Sequence, residues 1–377
     1  MDNPFQKIVD MGKNMFASSS SSDSAVGIDI GTSAIKIVQI KKKGGRAVLE
    51  TYGSIALGPY ADLEIGKVTN LEIDKTIEAL KEVLKQSGVT TTASALSIPS
   101  QSSLIFLVEL PATVKESELK AIIPTEARKY IPVPIDEVSL DWFVLPKKEA
   151  SFEESNNPDL PVKEAEKIEV LVVAIQNDAI SKYQTIVKQC GFDAGFFELE
   201  IFSSVRANFE HELSPVLMLD FGAYKTKISI IEFGSVKSFH TINRGGAEVT
   251  ESISKSLSIP FTKAEEMKKE YGMFDNPVEK SLADIIKIHI DYVFSETNSV
   301  LLNYEKKYNK TISKIILTGG GSQLKGFKEM AMSAFPVEIE VGNPFSKVGA
   351  PAFLEKVLLA TGPEFAVALG LALRKLQ

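Results

Sequence analysis

Cysteine, histidine and tryptophan are scarce in this sequence. Its 377 residues include one cysteine, three histidines and one tryptophan. A single cysteine cannot form an intramolecular disulfide, and no cluster of cysteines has the spacing of a zinc site. We interpret Cys190, which precedes a glycine near the end of a predicted helix, as a small packed residue rather than a reactive thiol.

An excess of positive charge and a long uninterrupted apolar run are also missing. The chain carries 42 basic and 49 acidic side chains, a net charge of −7, which does not favour a nucleic-acid partner. No apolar run approaches the roughly 18–20 residues of a membrane-spanning helix, and the amino terminus lacks a signal-peptide pattern. We expect a cytoplasmic protein of two or three domains that reaches a membrane only through a partner.

The most informative stretch is residues 26–40. An apolar strand that carries Asp29 breaks at Gly31-Thr32-Ser33 and resumes as a second strand that carries Lys36. Such a turn directs backbone amides, two hydroxyls and an ammonium at one spot, which suits a phosphate group. Asp29 would face the same spot and could hold the hydration shell of Mg²⁺. A hairpin of this kind also occurs for turn reasons alone, because glycine supplies the positive φ of tight turns.

The same strand–turn–strand unit occurs a second time, over residues 216–231. When the two stretches are aligned, Asp220 meets Asp29, and Lys227 meets Lys36. Solenoid repeats recur at roughly 20–50 residues, so two copies this far apart indicate two related domains instead.

A third loop follows an apolar strand within residues 315–327. The strand ends in three glycines and then Ser322, which we expect to cap the next helix. Glycines at the carboxyl end of a strand let a ligand approach the backbone closely, and ligands of open α/β sheets bind at that end. The alternative is a plain strand-to-helix turn.

These two D-x-G turns and the G-G-G-S loop resemble the actin-like ATPase superfamily, which includes actin, Hsp70, sugar kinases and the bacterial FtsA and PilM proteins. The resemblance implies an α/β fold with two domains of duplicated sheet-plus-helices architecture. It also implies ATP and Mg²⁺ in the cleft between them, with the hairpins around the phosphates and the third loop beside the adenosine.

The resemblance further implies a set of site residues. Asp29 and Asp220 are expected to hold Mg²⁺ through water. Glu248 resembles an acid on the ribose or adenine side, although a first-turn glutamate favoured by the helix dipole is an equal alternative. Lys268, in a charged helix over 262–271, is expected to approach the base. The predicted nucleotide-binding residues are Gly31, Thr32, Ser33, Lys36, Gly222, Ala223, Lys225, Thr226, Gly245, Gly246, Glu248, Lys268, Gly319, Gly320, Gly321 and Ser322.

Residues 101–192 indicate which branch of the superfamily the chain resembles. They follow the order β-α-β-loop-β-α and resemble the extra subdomain that FtsA and PilM carry in domain one. The likeness to the PilM family of type IV pilus assembly extends over nearly the whole chain from Gly27. The acidic loop over 149–166 and Pro124, which is expected to kink its helix, depart from that pattern.

The predicted domain limits follow from these motifs. Residues 1–24 form a flexible segment with a serine-rich linker, in which 4–16 read as a frayed terminus or a short amphipathic tag. Domain one covers 25–214, with the extra subdomain at about 101–192. Domain two covers 215–350, with a smaller lobe at about 246–310. Residues 351–377 form a segment and a helix that return to domain one.

Four local predictions concern three helix starts and one further helix. We expect Asp74 to cap a helix over 74–87, and Thr113 to open a capping box with Glu116. Thr262 is expected to cap the charged helix, and residues 196–211 are predicted to be helical.

Three functions are compatible with such a cleft: a sugar kinase, an ATP-driven motor or filament, and a nucleotide-binding scaffold. The lone cysteine excludes the zinc-dependent sugar kinases, and other sugar-kinase motifs are absent. Ala223 and Tyr224 stand where more active relatives have glycine and polar residues, so we expect slow ATP hydrolysis at most.

Resemblance to the PilM family implies an ATP- and Mg²⁺-binding scaffold of a type IV pilus or a related secretion platform. Its expected partner is the short N-terminal cytoplasmic tail of a PilN-like single-pass protein of the inner membrane. Contacts with pilus motor or platform proteins, and self-association, are further expectations. The alternative is an FtsA-like cell-division or filament-forming protein.

Overall fold

The computed structural model describes residues 23–146, 167–210, 212–274 and 281–376. The predictions for residues 1–22 and for the loop over 149–166 therefore lie outside the described residues.

Thirteen strands are described, and they form three sheets. Their bounds are β1 Ser24–Ile30, β2 Ala34–Lys43, β3 Arg46–Ala56, β4 Ala93–Ile98, β5 Ser103–Pro111, β6 Val138–Val144, β7 Lys167–Gln176, β8 Asp193–Leu199, β9 Val216–Phe221, β10 Thr226–Glu232, β11 Ser235–Ile242, β12 Lys314–Thr318 and β13 Glu338–Val341.

The first two sheets share one topology. Their strand orders are β3-β2-β1-β4-β8 and β11-β10-β9-β12-β13. In each, an antiparallel hairpin (β1–β2 or β9–β10) is extended by strands parallel to its first member, β4 and β8 or β12 and β13. Asp29 pairs with Lys36 in the first hairpin, and Asp220 pairs with Lys227 in the second. The duplication inferred from the two motifs therefore extends to whole sheets, which we call lobe I and lobe II with their helices.

Ten α-helices are described. Their bounds are α1 Ile73–Gln86, α2 Glu116–Ala127, α3 Asn177–Gln189, α4 Glu200–Asn208, α5 Gly246–Leu257, α6 Phe261–Tyr271, α7 Ser281–Tyr308, α8 Phe327–Ala334, α9 Glu355–Thr361 and α10 Ala366–Leu376.

Helices cover both faces of the first sheet, which explains why β1 is a nearly continuous buried apolar run. Helices α1 and α3 pack on one face, and α10 packs on the other against β1, β2 and α4. The approach of α10 is close enough that a Cβ at Gly27 would lie 1.9 Å from the Ala368 carbonyl oxygen. Arg374 of α10 forms a buried ion pair with Glu198 of β8, which Arg206 also contacts at 2.7 Å.

One described segment, Ala352–Leu376, is long and apolar enough to cross a membrane by length and composition, contrary to the expectation of no such run. In the structure it is divided into α9, α10 and intervening 3-10 turns. Leu369 and Leu371 of α10 are fully buried against lobe I. A core helix has the same composition as a spanning one, so this packing accounts for the apolar character of the segment.

The third sheet, β5-β7-β6, is antiparallel and belongs to the segment predicted as an extra subdomain. Helix α2 packs on one face, where Val170 and Val172 of β7 are buried. The opposite face of β7 joins the core of lobe I through Leu171 and Val173. Pro124 lies inside α2, whose assigned range continues past it to Ala127.

Several local predictions are wrong. Residues 193–199 are strand β8, so the helix predicted over 196–211 begins only at Glu200 and ends at Asn208. The stretch 196–199 is too short for its apolar pattern to separate strand from helix. The residues before α1 and α6 are Glu72 and Pro260 rather than Asp74 and Thr262.

The predicted capping box at α2 is also displaced. Its reciprocal bond joins the Lys115 amide to Glu118 Oε2 at 2.8 Å, not Thr113 to Glu116. Glu118 is the glutamate in the third helical position, which is the geometry that the motif requires.

Candidate functional site

A cleft of about 550 Å³ lies between the two lobes. Its walls are the two hairpin turns, the loop after β12, the start of α5 and one side of α6. The three predicted motifs, which are far apart in the sequence, therefore meet at one cavity.

The two hairpin turns are built alike. The Gly31 amide donates to the Ala34 carbonyl at 3.0 Å, and the Gly222 amide donates to the Lys225 carbonyl at 3.1 Å. A Cβ at Gly222 would lie 2.8 Å from that same carbonyl oxygen, so the turn leaves no room for a side chain. Thr32 and Ser33 lie in the first turn and line the cleft, and their contact with a phosphate group stays a prediction.

Asp29 is buried at the floor of the cleft. Ser97, which the sequence patterns did not single out, donates to Asp29 Oδ1 at 2.8 Å. Burial raises the pKa of Asp29, although the nearby Lys36 ammonium opposes the shift. The carboxylate is thus held by a hydroxyl rather than by a direct ion pair.

The lysines at equivalent hairpin positions have different environments. Lys36 is half-buried and lines the cleft, and within the described part of the chain no hydrogen bond or ion pair engages its ammonium. Lys227 instead donates to Glu200 Oε2 at 2.6 Å and lies 3.4 Å from Asp220 Oδ2. Lys36 is therefore available to an anion in the cleft, whereas Lys227 is already neutralised.

Glu200 is a cleft residue that the sequence reasoning missed. It is the first residue of α4, it is buried, and its Oε1 accepts hydrogen bonds of 2.8 Å from the amide and hydroxyl of Ser100. Burial opposes ionisation, but Lys227 and Ser100 together lower the pKa of Glu200. A correct assignment of strand β8 would have placed this acid at a strand-to-helix junction, where ligand-facing residues concentrate.

The glycines after β12 are required by close contacts. Gly319 has a φ of 81°, and a Cβ there would lie 2.2 Å from Asp220 Oδ1. A Cβ at Gly321 would lie 2.3 Å from the Phe221 ring, whereas the nearest atom to a Cβ at Gly320 would be Glu364 Cβ at 3.7 Å. Ser322 does not cap the next helix: its hydroxyl donates to the Gly319 carbonyl at 2.7 Å, and α8 starts only at Phe327.

The start of α5 faces the cleft, but its first amides are occupied. The amides of Gly246 and Ala247 donate to the carbonyls of Gly222 and Ala223, both at 2.9 Å. These bonds fasten α5 to the second hairpin. Helix α5 therefore positions that hairpin, and its first two amides cannot also bind an anion.

Lys268 is buried between α5 and α6. Its ammonium contacts the Gly246 carbonyl at 2.9 Å, Thr250 Oγ1 at 2.7 Å and Glu265 Oε2 at 2.7 Å. Since an ammonium has three donors, all are used within lobe II. A direct role of Lys268 at the base stays a prediction; in this structure the side chain joins two helices.

The cleft contains most of the predicted nucleotide-binding set. The predicted residues that line it are Gly31, Thr32, Ser33, Lys36, Gly222, Ala223, Lys225, Gly246, Lys268, Gly319, Gly320 and Gly321. Four do not line it. Thr226 donates to the Arg244 carbonyl at 2.8 Å, Gly245 packs on Ala223, Glu248 pairs with Arg244, and Ser322 turns to Gly319.

A contact between the lobes closes the outer end of the cleft. Glu64, from the segment after β3, accepts hydrogen bonds from the amide and hydroxyl of Thr262 at 3.0 and 2.9 Å. Thr262 lies in the first turn of α6, whose preceding residue Pro260 offers no side-chain cap. Glu64 therefore caps a helix of the opposite lobe.

We tested whether the carboxylates of the cleft fit a divalent cation. Within the described ranges, no group of three or more His, Cys, Asp or Glu side chains has the arrangement of a metal site. Asp220 and Glu200 share the Lys227 ammonium, and Ser97 engages Asp29. These residues do not fit an ion that the protein holds directly, so the water-mediated roles of Asp29 and Asp220 stay predictions.

The chain is similar to known proteins of pilus assembly and of cell division. The family model for the type IV pilus assembly protein PilM matches residues 27–376. The cell division protein FtsA of Staphylococcus epidermidis is 24% identical over 361 residues, which cover 85% of this chain and 74% of that protein.

Solved structures agree with these matches. The PilM–PilN type IV pilus biogenesis complex matches with a TM-score of 0.78 and 25% identity over 95% of this chain and 100% of that chain. MreB of Spiroplasma citri bound to AMPPNP matches with a TM-score of 0.50 and 11% identity over 93% and 95% of the respective chains, which shows the fold alone. The fold is the actin-like ATPase fold that the motifs predicted.

Proposed function

The chain belongs to the family of type IV pilus assembly protein PilM, and we propose that it is a nucleotide-binding cytoplasmic scaffold of a pilus assembly platform. In this proposal, ATP occupies the cleft between the lobes. The short cytoplasmic tail of a PilN-like membrane protein binds the scaffold and holds it at the inner membrane.

The arrangement of the two hairpins supports the nucleotide part. Two equivalent turns from different lobes face one cleft, and the Lys36 ammonium in it is free of protein partners among the described residues. Backbone turns of this kind and a free ammonium both favour phosphate groups. Hydrolysis would be slow, because both oxygens of the Glu200 carboxylate already accept hydrogen bonds from Lys227 and Ser100, which leaves this acid a weak acceptor for the proton of an attacking water.

The observation that carries the partner part is the match to the PilM–PilN complex over the full length of its matched chain. The third sheet has a surface that suits a peptide. Along β6, an edge strand, Leu140, Trp142 and Val144 are only half-buried although they face the α2 side. Helix α2 covers β5 and β7 more completely, so an apolar groove beside β6 accepts an extended peptide.

Contacts with lobe II would connect this groove to the cleft. Glu169 of β7 pairs with Lys237 of β11 and accepts a hydrogen bond from Tyr308 of α7 at 3.1 Å. Glu109 of β5 lies 3.6 Å from Lys307 of the same helix. Closure of the lobes around a nucleotide would therefore shift groups that touch the peptide-binding sheet, which is a hinge-type switch.

The test is calorimetric titration of the full chain with a synthetic PilN-type N-terminal cytoplasmic peptide, with and without ATP. We expect saturable one-to-one binding, and any dependence on ATP gives the coupling free energy directly. Trp142→Ala should weaken peptide binding by at least about tenfold, as expected for an aromatic side chain that the bound peptide would cover. Phe353→Ala, which changes an aromatic side chain that is 82% exposed on another surface, should leave the affinity unchanged.

Two results would contradict the proposal. If the peptide does not bind in either state while ATP still binds tightly, the scaffold role fails and an FtsA-like role gains support. If the peptide binds but Trp142→Ala and Phe353→Ala behave alike, the groove lies elsewhere on the protein.

A further inference from the structure

The duplicated hairpins offer an internal comparison. Lys36 and Lys227 occupy the same register position opposite an aspartate, Asp29 or Asp220, in two strands of the same topology. Only Lys227 has a second carboxylate within reach, because α4 presents Glu200 to the cleft beside it. One position of the repeated unit has therefore acquired a different chemical environment in lobe II.

The Lys227 ammonium lies between two carboxylates. Its Nζ is 2.6 Å from Glu200 Oε2 and 3.4 Å from Asp220 Oδ2, and its side chain is 18% exposed. Both acids line the cleft, so without this ammonium two partly buried negative charges would face any bound phosphate groups. In a low-dielectric cleft, such like charges repel strongly unless a cation lies between them.

A divalent ion bound to a nucleoside triphosphate normally supplies that cation. We propose that the Lys227 ammonium is an internal cation that takes over this role between Asp220 and Glu200, so that the chain binds a nucleoside triphosphate with little dependence on Mg²⁺. This inference rests on the proposed nucleotide function, and it is the alternative to the expectation that Asp29 and Asp220 hold Mg²⁺ through water.

The arrangement also explains why, among the described residues of the cleft, the carboxylates do not form a site that could hold a metal ion directly. Glu200 Oε1 accepts a hydrogen bond from Ser100, Glu200 Oε2 accepts one from Lys227, and Asp29 Oδ1 accepts one from Ser97. Cationic and hydroxyl groups of the protein thus satisfy oxygens that a hydrated cation would otherwise contact. An ammonium fixed by the fold is present at every nucleotide encounter, whereas a metal ion must arrive with the ligand.

The experiment measures the affinity of the full chain for ATP by calorimetry, in excess Mg²⁺ and in excess EDTA. The wild-type protein should bind ATP in both conditions, with dissociation constants that differ by less than about threefold. Lys227→Met keeps the aliphatic stem but removes the charge. It should bind ATP on the order of tenfold more weakly in EDTA and regain affinity in Mg²⁺, because the metal then screens the two carboxylates.

Lys36→Met is the matched comparison at the equivalent position of the first hairpin. Because its ammonium has no carboxylate to neutralise by direct contact, its loss should weaken ATP binding by a similar factor in Mg²⁺ and in EDTA. Lys227→Arg keeps a positive charge and should keep the wild-type pattern. Lys255→Met is the control for surface charge, because the Lys255 side chain lies on α5 and is 75% exposed.

A second readout does not need nucleotide. Mg²⁺ alone should raise the thermal unfolding midpoint of Lys227→Met, since two carboxylates become available to it, and should leave that of the wild-type protein unchanged. If Lys227→Met does not fold, the titrations of the wild-type protein and of Lys227→Arg still show whether ATP binding depends on Mg²⁺.

The outcomes separate this inference from the proposed function. Wild-type ATP binding that is lost in EDTA overturns the internal-cation role and leaves nucleotide binding intact. Equal Mg²⁺ dependence in Lys227→Met and Lys36→Met also overturns it. No ATP binding by the wild-type protein in either condition contradicts the proposed nucleotide function itself.

Discussion

Substitution of alanine for each of the three glycines after β12 tests how the third loop is built. At Gly319, a new Cβ would lie 2.2 Å from Asp220 Oδ1 and 2.9 Å from the Phe221 carbonyl oxygen, at a φ of 81°. At Gly320, the nearest atom would be Glu364 Cβ at 3.7 Å, which is ordinary van der Waals contact. Neighbouring residues of one loop should therefore respond very differently to the same added methyl group.

The expected magnitudes follow from these distances. The backbone of Gly319, with a φ of 81° and a ψ of 160°, alone costs alanine about 1–3 kcal/mol, and displacing the Asp220 carboxylate or the end of β9 adds to it. We expect Gly319→Ala to lower the free energy of unfolding by about 3 kcal/mol. Gly320→Ala should stay within about 0.5 kcal/mol of the wild-type value, because the folded loop accepts the methyl group and the unfolded chain loses entropy.

The assay is urea unfolding followed by circular dichroism, together with ATP titration of the folded variants. Because Gly320 lines the cleft, where a ligand would approach its backbone closely, Gly320→Ala should weaken ATP binding while leaving stability unchanged. Equal destabilisation by Gly319→Ala and Gly320→Ala would refute the steric reasoning. Unchanged stability of Gly319→Ala would show that β9 and the loop are not held as closely as these distances indicate.

Two further predictions concern contacts far from the glycine loop. Glu64→Gln removes the charged cap that lobe I supplies to α6, so the rate of ATP dissociation, measured by stopped-flow displacement, should rise severalfold. Thr262→Val keeps the amide donor and should have a smaller effect. If Glu64→Gln and the wild-type protein release ATP at equal rates, this contact does not close the cleft. Burial opposes ionisation of Glu198, but Arg206 and Arg374 lower its pKa below the usual value of 4.5. The ionised carboxylate therefore stabilises the fold above pH 4.5, and this stabilisation is lost as the pH falls through the lowered pKa. Glu198→Gln should therefore cost about 3 kcal/mol at pH 7, and a gap to wild type that fails to narrow below pH 4.5 would contradict this assignment.

The repeated hairpin was readable from the sequence because its determinants are local. Asp29 and Lys36 face each other across a turn of a few residues, and the alternation and glycine that create this pair lie within one short stretch. The same local pattern at Asp220 and Lys227 identified two lobes and the fold class. Turn chemistry and strand periodicity depend on near neighbours, so a single sequence carries them.

The hydrogen-bond and ion-pair partners of the individual side chains depended on the tertiary structure. Lys36 and Lys227 are equivalent in the sequence, yet α4 brings Glu200 to one of them and not to the other. Glu64 and Thr262 are far apart in the chain and meet only because the two lobes face each other. No local pattern records such contacts, since they arise from the packing of whole sheets and helices.

Sequence alone thus predicted the fold and the duplicated hairpins, and most of the residues that it named as ligand-binding line the cleft. Only the tertiary structure decided which of those residues remain free to bind a ligand, because that depends on hydrogen bonds between distant segments. The Lys268 ammonium, which was predicted to approach the base, makes its contacts within lobe II. Glu200, which was not predicted, accepts a hydrogen bond from the Lys227 ammonium in the cleft. The local pattern places a side chain at a site, and its long-range partners determine what it does there.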